Sequence, residues 1–373
     1  KLEVLPEVLA RGPKLSKVSF KANQLSTVSD KALSPNLRWL ILTTNQLSTL
    51  PPSIGKLHRL QKLMLAGNRL TALPKALANC TNLELIRLAA NQLKQLPDWL
   101  YRLPRLSWLA YAGNPFCEAI SRERVGKREV RSLPIISAKN LTRDKILGEG
   151  ASGIIYRGNW TAPDQLAVAK TVALKLFKGE ITSDGSPLDE MQACIAAGTH
   201  PNLVKVLGKL ASPNETGLVF DFVSSDYENL GEPPSLESCT RDIYKPEQSF
   251  TLQEILKIVS GMASVLAHLH QNGIVHGDFY AHNILLNTEA HSILGDFGPA
   301  SFYIKEPKIS SHPLEKIEVR AFGCLLEELL LRCTDRNQIV VQQLSNLQRQ
   351  CVSPALAERP TFEHIVQTLS QIS

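Results

Sequence analysis

The stretch His276-Gly277-Asp278-Phe279-Tyr280-Ala281-His282-Asn283 is followed, thirteen residues after its asparagine, by Asp296-Phe297-Gly298. Taken singly, these residues have ordinary explanations: His276 as a core histidine, Asp278 as a helix cap. Taken together, H-x-D-x-x-x-x-N with D-F-G at that distance puts two carboxylates and a carboxamide into one short segment.

Working upstream, Gly148-Glu149-Gly150-Ala151-Ser152-Gly153-Ile154-Ile155 is G-x-G-x-x-G-x-V with isoleucine for valine. Glycine lets backbone amides approach a phosphate closely, although alone the motif reads equally as a β-turn. Val172-Ala173-Leu174-Lys175 ends an apolar strand in a lysine, and Glu190 follows fifteen residues later in a helical segment. Lys170, closing Ala167-Val168-Ala169-Lys170, competes for the same role. Lys175 is preferred because Val172–Phe177 is the more apolar run and its spacing to Glu190 is the expected one; the choice implies an insertion around Thr161–Gln165. His200-Pro-Asn-Leu-Val204 and the apolar strand Leu218-Val-Phe220-Asp221-Phe-Val223 come next. Thr251-x-x-Glu254 is a capping box that opens an apolar-periodic helix running to about His270, and Arg359-Pro-Thr-Phe362 stands near the end.

In order and spacing these segments resemble the eukaryotic-type protein kinase family, over residues 141–373. The resemblance implies a bilobal α+β fold, with an N-lobe of about 141–222 and a C-lobe of about 226–373, that uses ATP and Mg²⁺. It implies that Lys175, held by Glu190, contacts the ATP phosphates and that Asn283 and Asp296 bind the metal. Asp278 accepts the proton of the acceptor hydroxyl. Gly148, Gly150, Gly153, Ile155, Ala173, Asp221, Val223 and Leu285 line the nucleotide site, Asp221 and Val223 from the hinge. Cys194, Val206, His276 and Phe297 match the apolar column that aligns the lobes.

The chain also departs from that pattern. Gly277 replaces the arginine that grips a phosphorylated activation loop, so loop phosphorylation is not expected to be the switch. Tyr280 replaces the cation that helps neutralise the transferred phosphoryl group. Asp296 to Glu318 spans only 22 residues without Ala-Pro-Glu, leaving Arg359 without its usual glutamate. An aminoglycoside-type small-molecule phosphotransferase, which shares His-Gly-Asp, and a non-catalytic scaffold are the alternatives to a protein Ser/Thr kinase. The complete Lys175, Glu190, Asp278, Asn283 and Asp296 set argues against the scaffold.

The front of the chain is periodic. Five segments fit L-x-x-L-x-L-x-x-N, with asparagines at 23, 45, 68, 91 and 114, and three continue into Leu-Pro. This is the leucine-rich-repeat signature, each repeat adding a short strand to a stack that is stable only as an array. Residues 1–118 are therefore read as an α/β repeat solenoid of about five repeats and 119–140 as a cap and linker; the whole resembles leucine-rich-repeat protein kinases. The columns between the leucines face the concave side: Lys17, Trp39, Lys62, Leu85, Trp108, and Ser19, Ile41, Met64, Arg87, Ala110. Trp39, Ile41, Met64, Leu85 and Trp108 form an apolar patch there. It is either an interface for a protein partner or substrate, or a surface covered by intramolecular docking of the kinase domain.

Charge is uneven: residues 1–118 hold 16 Lys and Arg against 6 Asp and Glu, the remainder 25 against 29. The basic residues are spread over all repeats without interleaved aromatics, which argues against nucleic acid. No stretch reads as the ~20 apolar residues of a membrane span, and Lys1 does not open a signal-peptide pattern. Seven cysteines without paired spacing point to a reducing, cytoplasmic setting.

Overall fold

The computed structural model describes residues 1–117, 120, 133–150, 152–161, 169–178, 182, 185–305, 311–335 and 337–372. Most of the region read as a linker and most of the insertion expected around Thr161–Gln165 lie outside these.

Five three-residue strands, β1 (Lys17–Ser19), β2 (Trp39–Ile41), β3 (Lys62–Met64), β4 (Leu85–Arg87) and β5 (Trp108–Ala110), form one parallel sheet in chain order. Each repeat supplies leucines to a common core, so Leu40, Leu63, Ile86 and Leu109 are buried one above another. The asparagines close the turns. Asn68 accepts from Leu47 N at 3.0 Å while its amide donates to the carbonyls of Leu42 and Leu65 at 2.9 Å. Asn91 does the same for Leu70, Leu65 and Leu88. One side chain thus satisfies backbone groups of two successive repeats, which an apolar side chain could not do.

A six-stranded sheet follows, in the order β6-β10-β11-β9-β8-β7. It comprises β6 (Ile135–Ser137), β7 (Leu141–Glu149), β8 (Gly153–Trp160), β9 (Lys170–Phe177), β10 (Val206–Ala211) and β11 (Gly217–Asp221). Its helix spans Pro187–Ala197, capped by Ser186, whose hydroxyl accepts from Leu188 N. The assignment of 119–140 to a linker is corrected at its end: Ile135–Ser137 pairs in parallel with Lys209–Ala211 as the sheet's sixth strand.

The C-lobe is built on the helix Leu252–Gln271. Thr251 and Glu254 form the expected capping box, Thr251 N donating to Glu254 at 2.7 Å and Glu254 N to the threonine hydroxyl at 3.2 Å. By length and apolarity this helix could cross a membrane, contrary to the expectation from sequence. Here it is the central C-lobe helix, packed against Phe362–Ile372 and Pro313–Leu330.

The repeats and the C-lobe meet across the concave face. A repeat strand covered on one side alternates in burial, as β1 and β3 do, but β4 and β5 are buried at all three positions. The C-lobe supplies the second cover. Trp108 is 2% and Leu85 3% exposed, both within the C-lobe's apolar core, against which Met64 also packs. Trp39, whose indole N–H meets the Cys239 sulfur, lies between Lys17 and Lys62, their ammonium groups 4.3 and 4.4 Å from the ring centre. Ile41 stays half-buried. In this structure the C-lobe thus covers Leu85 and Trp108 of the patch and leaves Ile41 at its margin. Polar contacts complete the seam: Thr240 donates to Glu84, and Arg320 to the Ser107 hydroxyl at 2.6 Å. Arg359, lacking its usual glutamate, donates to the carbonyls of Ser353 at 2.8 Å, Lys316 at 3.0 Å and Pro104 at 3.0 Å. Burial, with the neighbouring Arg320 charge adding to it, lowers its pKa to about 10.

Two truncations test this packing in the full chain. Leu63→Ala should cost roughly 2–5 kcal/mol of unfolding free energy and Trp108→Ala roughly 3–5 kcal/mol. Chemical denaturation would refute the covered concave face if the tryptophan behaved as a surface residue, losing less than about 0.5 kcal/mol.

Candidate active site

A cavity of about 1090 Å³ opens between the two lobes. Its roof is the β7–β8 turn. Gly153 lies under β9, where a β-carbon would fall 2.3 Å from the Leu176 carbonyl oxygen, so protein packing alone demands glycine there. Gly148 and Gly150 are different: a β-carbon at either would meet nothing within 4 Å. Their bareness leaves the turn's backbone accessible from the cavity, the condition for amides to reach a phosphate. Ile155 and Ala173 line the cavity from β8 and β9, Asp221 and Val223 from the connection between lobes, and Leu285 from the C-lobe strand Ile284–Leu286.

Lys175 stands opposite Ile155 on β9 and forms an ion pair with Glu190, which the helix Pro187–Ala197 presents to it. Burial alone would lower the lysine's pKa. The Glu190 and Asp296 carboxylates outweigh it and hold the ammonium above its ordinary value, so a charged lysine is fixed inside the cavity. Lys170, the competing candidate, begins the same strand at its far end. It is half in solvent and pairs with the Asp221 carboxylate at 3.0 Å, away from Glu190.

On the C-lobe side, Asn283 and Asp296 both face the cavity. Asn283 donates to the Asp278 carbonyl at 2.9 Å and carboxylate at 3.2 Å, which fixes the amide nitrogen and turns its oxygen the other way. Asp296 sits in left-handed backbone, φ 50°, and accepts from Gly298 N at 3.2 Å; strain of this kind persists where surrounding structure enforces it. His276 donates to the Gly295 carbonyl at 2.8 Å and meets Phe297 edge-on at 5.3 Å, so the two segments pack as one unit. Glu318, where the family has aspartate, accepts from Gly277 N at 2.9 Å and from His270 at 2.7 Å, anchoring the loop that carries Asp278.

Two oxygen donors, one carboxylate and one carboxamide, fit Mg²⁺ of the kind that keeps phosphates and waters as its other ligands. Among the described residues no group of three or more His, Cys, Asp and Glu could form an all-protein cage, which fits a metal arriving with a nucleotide.

Asp278 does not border this cavity. It is buried, and its partner is Arg87 of β4, which forms an ion pair with the carboxylate and donates to the Gly277 carbonyl at 3.2 Å. Burial alone would raise the pKa of Asp278; Arg87, helped by His282 and His276, holds it below the ordinary carboxylate value. Trp108 donates its indole N–H to the Phe279 carbonyl at 2.8 Å and stacks on Tyr280, ring centres 4.2 Å apart and planes 8° off parallel. Gly277 has φ 76°, and a β-carbon there would lie 2.8 Å from the Leu109 and Pro299 carbonyl oxygens. The glycine and the tyrosine that break the family pattern are thus contact points with the repeats. Arg87 itself escaped the sequence reading. Its only signal was to be the one charge in a concave column otherwise occupied by Ser19, Ile41, Met64 and Ala110.

The profile of the protein tyrosine and serine/threonine kinase family matches residues 141–330, and a leucine-rich-repeat profile matches 13–70 and 58–116. Three similar proteins, all from Arabidopsis thaliana, are the "Probable serine/threonine-protein kinase CST", the L-type lectin-domain containing receptor kinase IX.1 and the receptor-like serine/threonine-protein kinase SD1-7. The first is 29% identical over 54% of this chain and 51% of its own length. The second is 27% identical over 57% and 34%, the third 29% over 48% and 21%. The chain therefore spans about half the length of the first and less of the others.

A ligand that binds only the folded protein raises its melting temperature. Mg·ATP should therefore stabilise the wild type, and Lys175→Ala or Asp296→Ala should abolish the shift while Lys170→Ala keeps it. Loss of the shift in Lys170→Ala alone would move the phosphate contact to the other end of β9.

Proposed function

The chain belongs to the protein tyrosine and serine/threonine kinase family, and from that premise we propose that it transfers the γ-phosphoryl group of ATP to a serine or threonine hydroxyl of a protein. The observation that carries this reading is the convergence of Lys175, Glu190, Asn283 and Asp296 on one cavity, with Asp278 bonded directly to Asn283.

Phosphoryl transfer asks a protein for positioning and charge neutralisation rather than covalent chemistry. Lys175, held charged by Glu190, orients the α- and β-phosphates. Asn283 and Asp296 would hold Mg²⁺, which neutralises charge on the transferring group. Asp278 orients the acceptor hydroxyl and receives its proton as the acceptor oxygen bonds to the γ-phosphorus and the bond from that phosphorus to the bridging oxygen breaks, releasing ADP. A protein acceptor agrees with the fused repeats, a module that generally mediates protein interaction. A reducing cytoplasmic setting belongs to the same proposal, supported by seven cysteines that all stand as free thiols.

Two measurements test it. With radiolabelled ATP and myelin basic protein as acceptor, Asp278→Asn should lower incorporation by about 10²–10⁴-fold, the usual worth of a positioned proton acceptor. Equal incorporation by wild type and variant, both above a blank without enzyme, would remove Asp278 from the reaction. Because Gly277 stands where a phosphate-gripping arginine would be, phosphatase treatment should leave the initial rate unchanged; a large loss recovered after preincubation with ATP would contradict that.

A further inference from the structure

The nucleotide side and the acceptor side of this site are in opposite conditions. On the nucleotide side the cavity is open, its glycine turn is bare, and the Lys175–Glu190 pair is formed. On the acceptor side one Asp278 oxygen is paired with Arg87 and the other accepts from Asn283 at 3.2 Å. An acceptor hydroxyl must come within about 2.6–3.2 Å of that carboxylate. The Arg87 guanidinium, only 4% exposed, and the Trp108 indole fill the approach.

The kinase side of the contact is shaped for this closure. At φ 76° Gly277 sits between the Leu109 carbonyl of the repeats and the Pro299 carbonyl of the kinase domain, each 2.8 Å from where a β-carbon would stand, so only glycine lets the two close upon it. Tyr280, in place of a cation, offers Trp108 a flat surface at 4.2 Å. An arginine at 277 or a lysine at 280 would clash with the repeats or set a second positive charge beside Arg87. The two departures that weaken a catalytic loop are the two that let β4 and β5 seat upon it.

We propose that the repeat domain is a built-in latch: Arg87 occupies the acceptor position at Asp278, so the chain binds Mg·ATP in its closed form and transfers phosphoryl to a protein only from the minority of molecules whose repeats have left the C-lobe. The proposal rests on the kinase reading above. The buried pair has a second consequence. With one partner removed, the other is left as an uncompensated buried charge, so a change at Arg87 alone pushes the interface apart.

The test uses the full chain carrying Arg87→Glu, with Arg87→Gln as the milder change should glutamate prevent folding. The expected result is at least a tenfold rise in the initial rate of phosphate incorporation into myelin basic protein, with the Mg·ATP melting shift of the wild type retained. Adding Trp108→Ala should raise the rate further. An unchanged rate in both Arg87 variants, with the shift retained, overturns the latch. So does a fall in rate, which would instead make Arg87 a group that assists transfer. Repeating the assay in Arg87→Glu with Asp278→Asn separates this proposal from the one beneath it. A gain abolished by the second change supports both, whereas a gain that survives it shows the transfer does not use Asp278, which overturns both the role given to that aspartate and a latch that works by covering it.

Discussion

Strands that are three residues long and buried on both faces need two covers, and at β4 and β5 the covers come from different domains. The leucine core supplies one. The other is the loop that carries Asp278, the C-lobe helix behind it, and the side chains that reach across, from Thr240 to Glu84 and from Arg320 to Ser107. Much of the rest of the molecule answers to this shared burial. Asp278 is paired with Arg87, Gly277 takes left-handed backbone, and Arg359 donates to carbonyls that include one from the repeats. Desolvating Arg87 and Asp278 together is costly unless each satisfies the other, so the fit at this point is all-or-nothing rather than graded.

The cavity between the lobes is, by contrast, indifferent to the repeats in its chemistry. Its determinants are local: a glycine turn over open space, a lysine opposite Ile155 on a strand interior, a glutamate one helical turn from a serine cap. Each is set by pairing within the N-lobe sheet or by the packing of the Asp296 segment on His276. Because the nucleotide residues are set by contacts the repeats do not make, that half is assembled while the other, joined to it through the bond from Asn283 to Asp278, is closed.

The same contrast explains what could be read in advance. The repeats declared themselves through an asparagine every 22 or 23 residues, because each asparagine bridges two turns and tolerates little variation in spacing. The nucleotide residues declared themselves because their motif spacings follow single strands and turns. Lys175 could be chosen over Lys170 from apolarity and from the distance to Glu190 alone. Arg87 could not be found that way. Which residue of a concave column meets which loop depends on how two domains are rotated against one another, and no local pattern encodes that; in sequence Arg87 looks like any solvated arginine. Gly277 and Tyr280 were visible as departures, but the contacts they make, with Leu109 and Trp108, lie about 170 residues away in the chain. Strand β6 was missed for a similar reason: three residues beside a charged stretch carry little periodicity, and its partner at Lys209–Ala211 is more than 70 residues distant.

That added strand also ties the chain leaving the repeats to the outer edge of the N-lobe sheet, while the repeats' concave face rests on the C-lobe. The repeats further approach the N-lobe helix directly: a methyl at Gly185, just before that helix, would lie 3.8 Å from Ala89 and Ala112. They therefore straddle the hinge as a clasp does, touching both jaws. A ligand that draws the jaws together changes the span the clasp must bridge, and the free energy of that coupling runs equally in both directions. Nucleotide occupancy and clasp engagement then become readings of a single balance, each shifted by the other to the same extent.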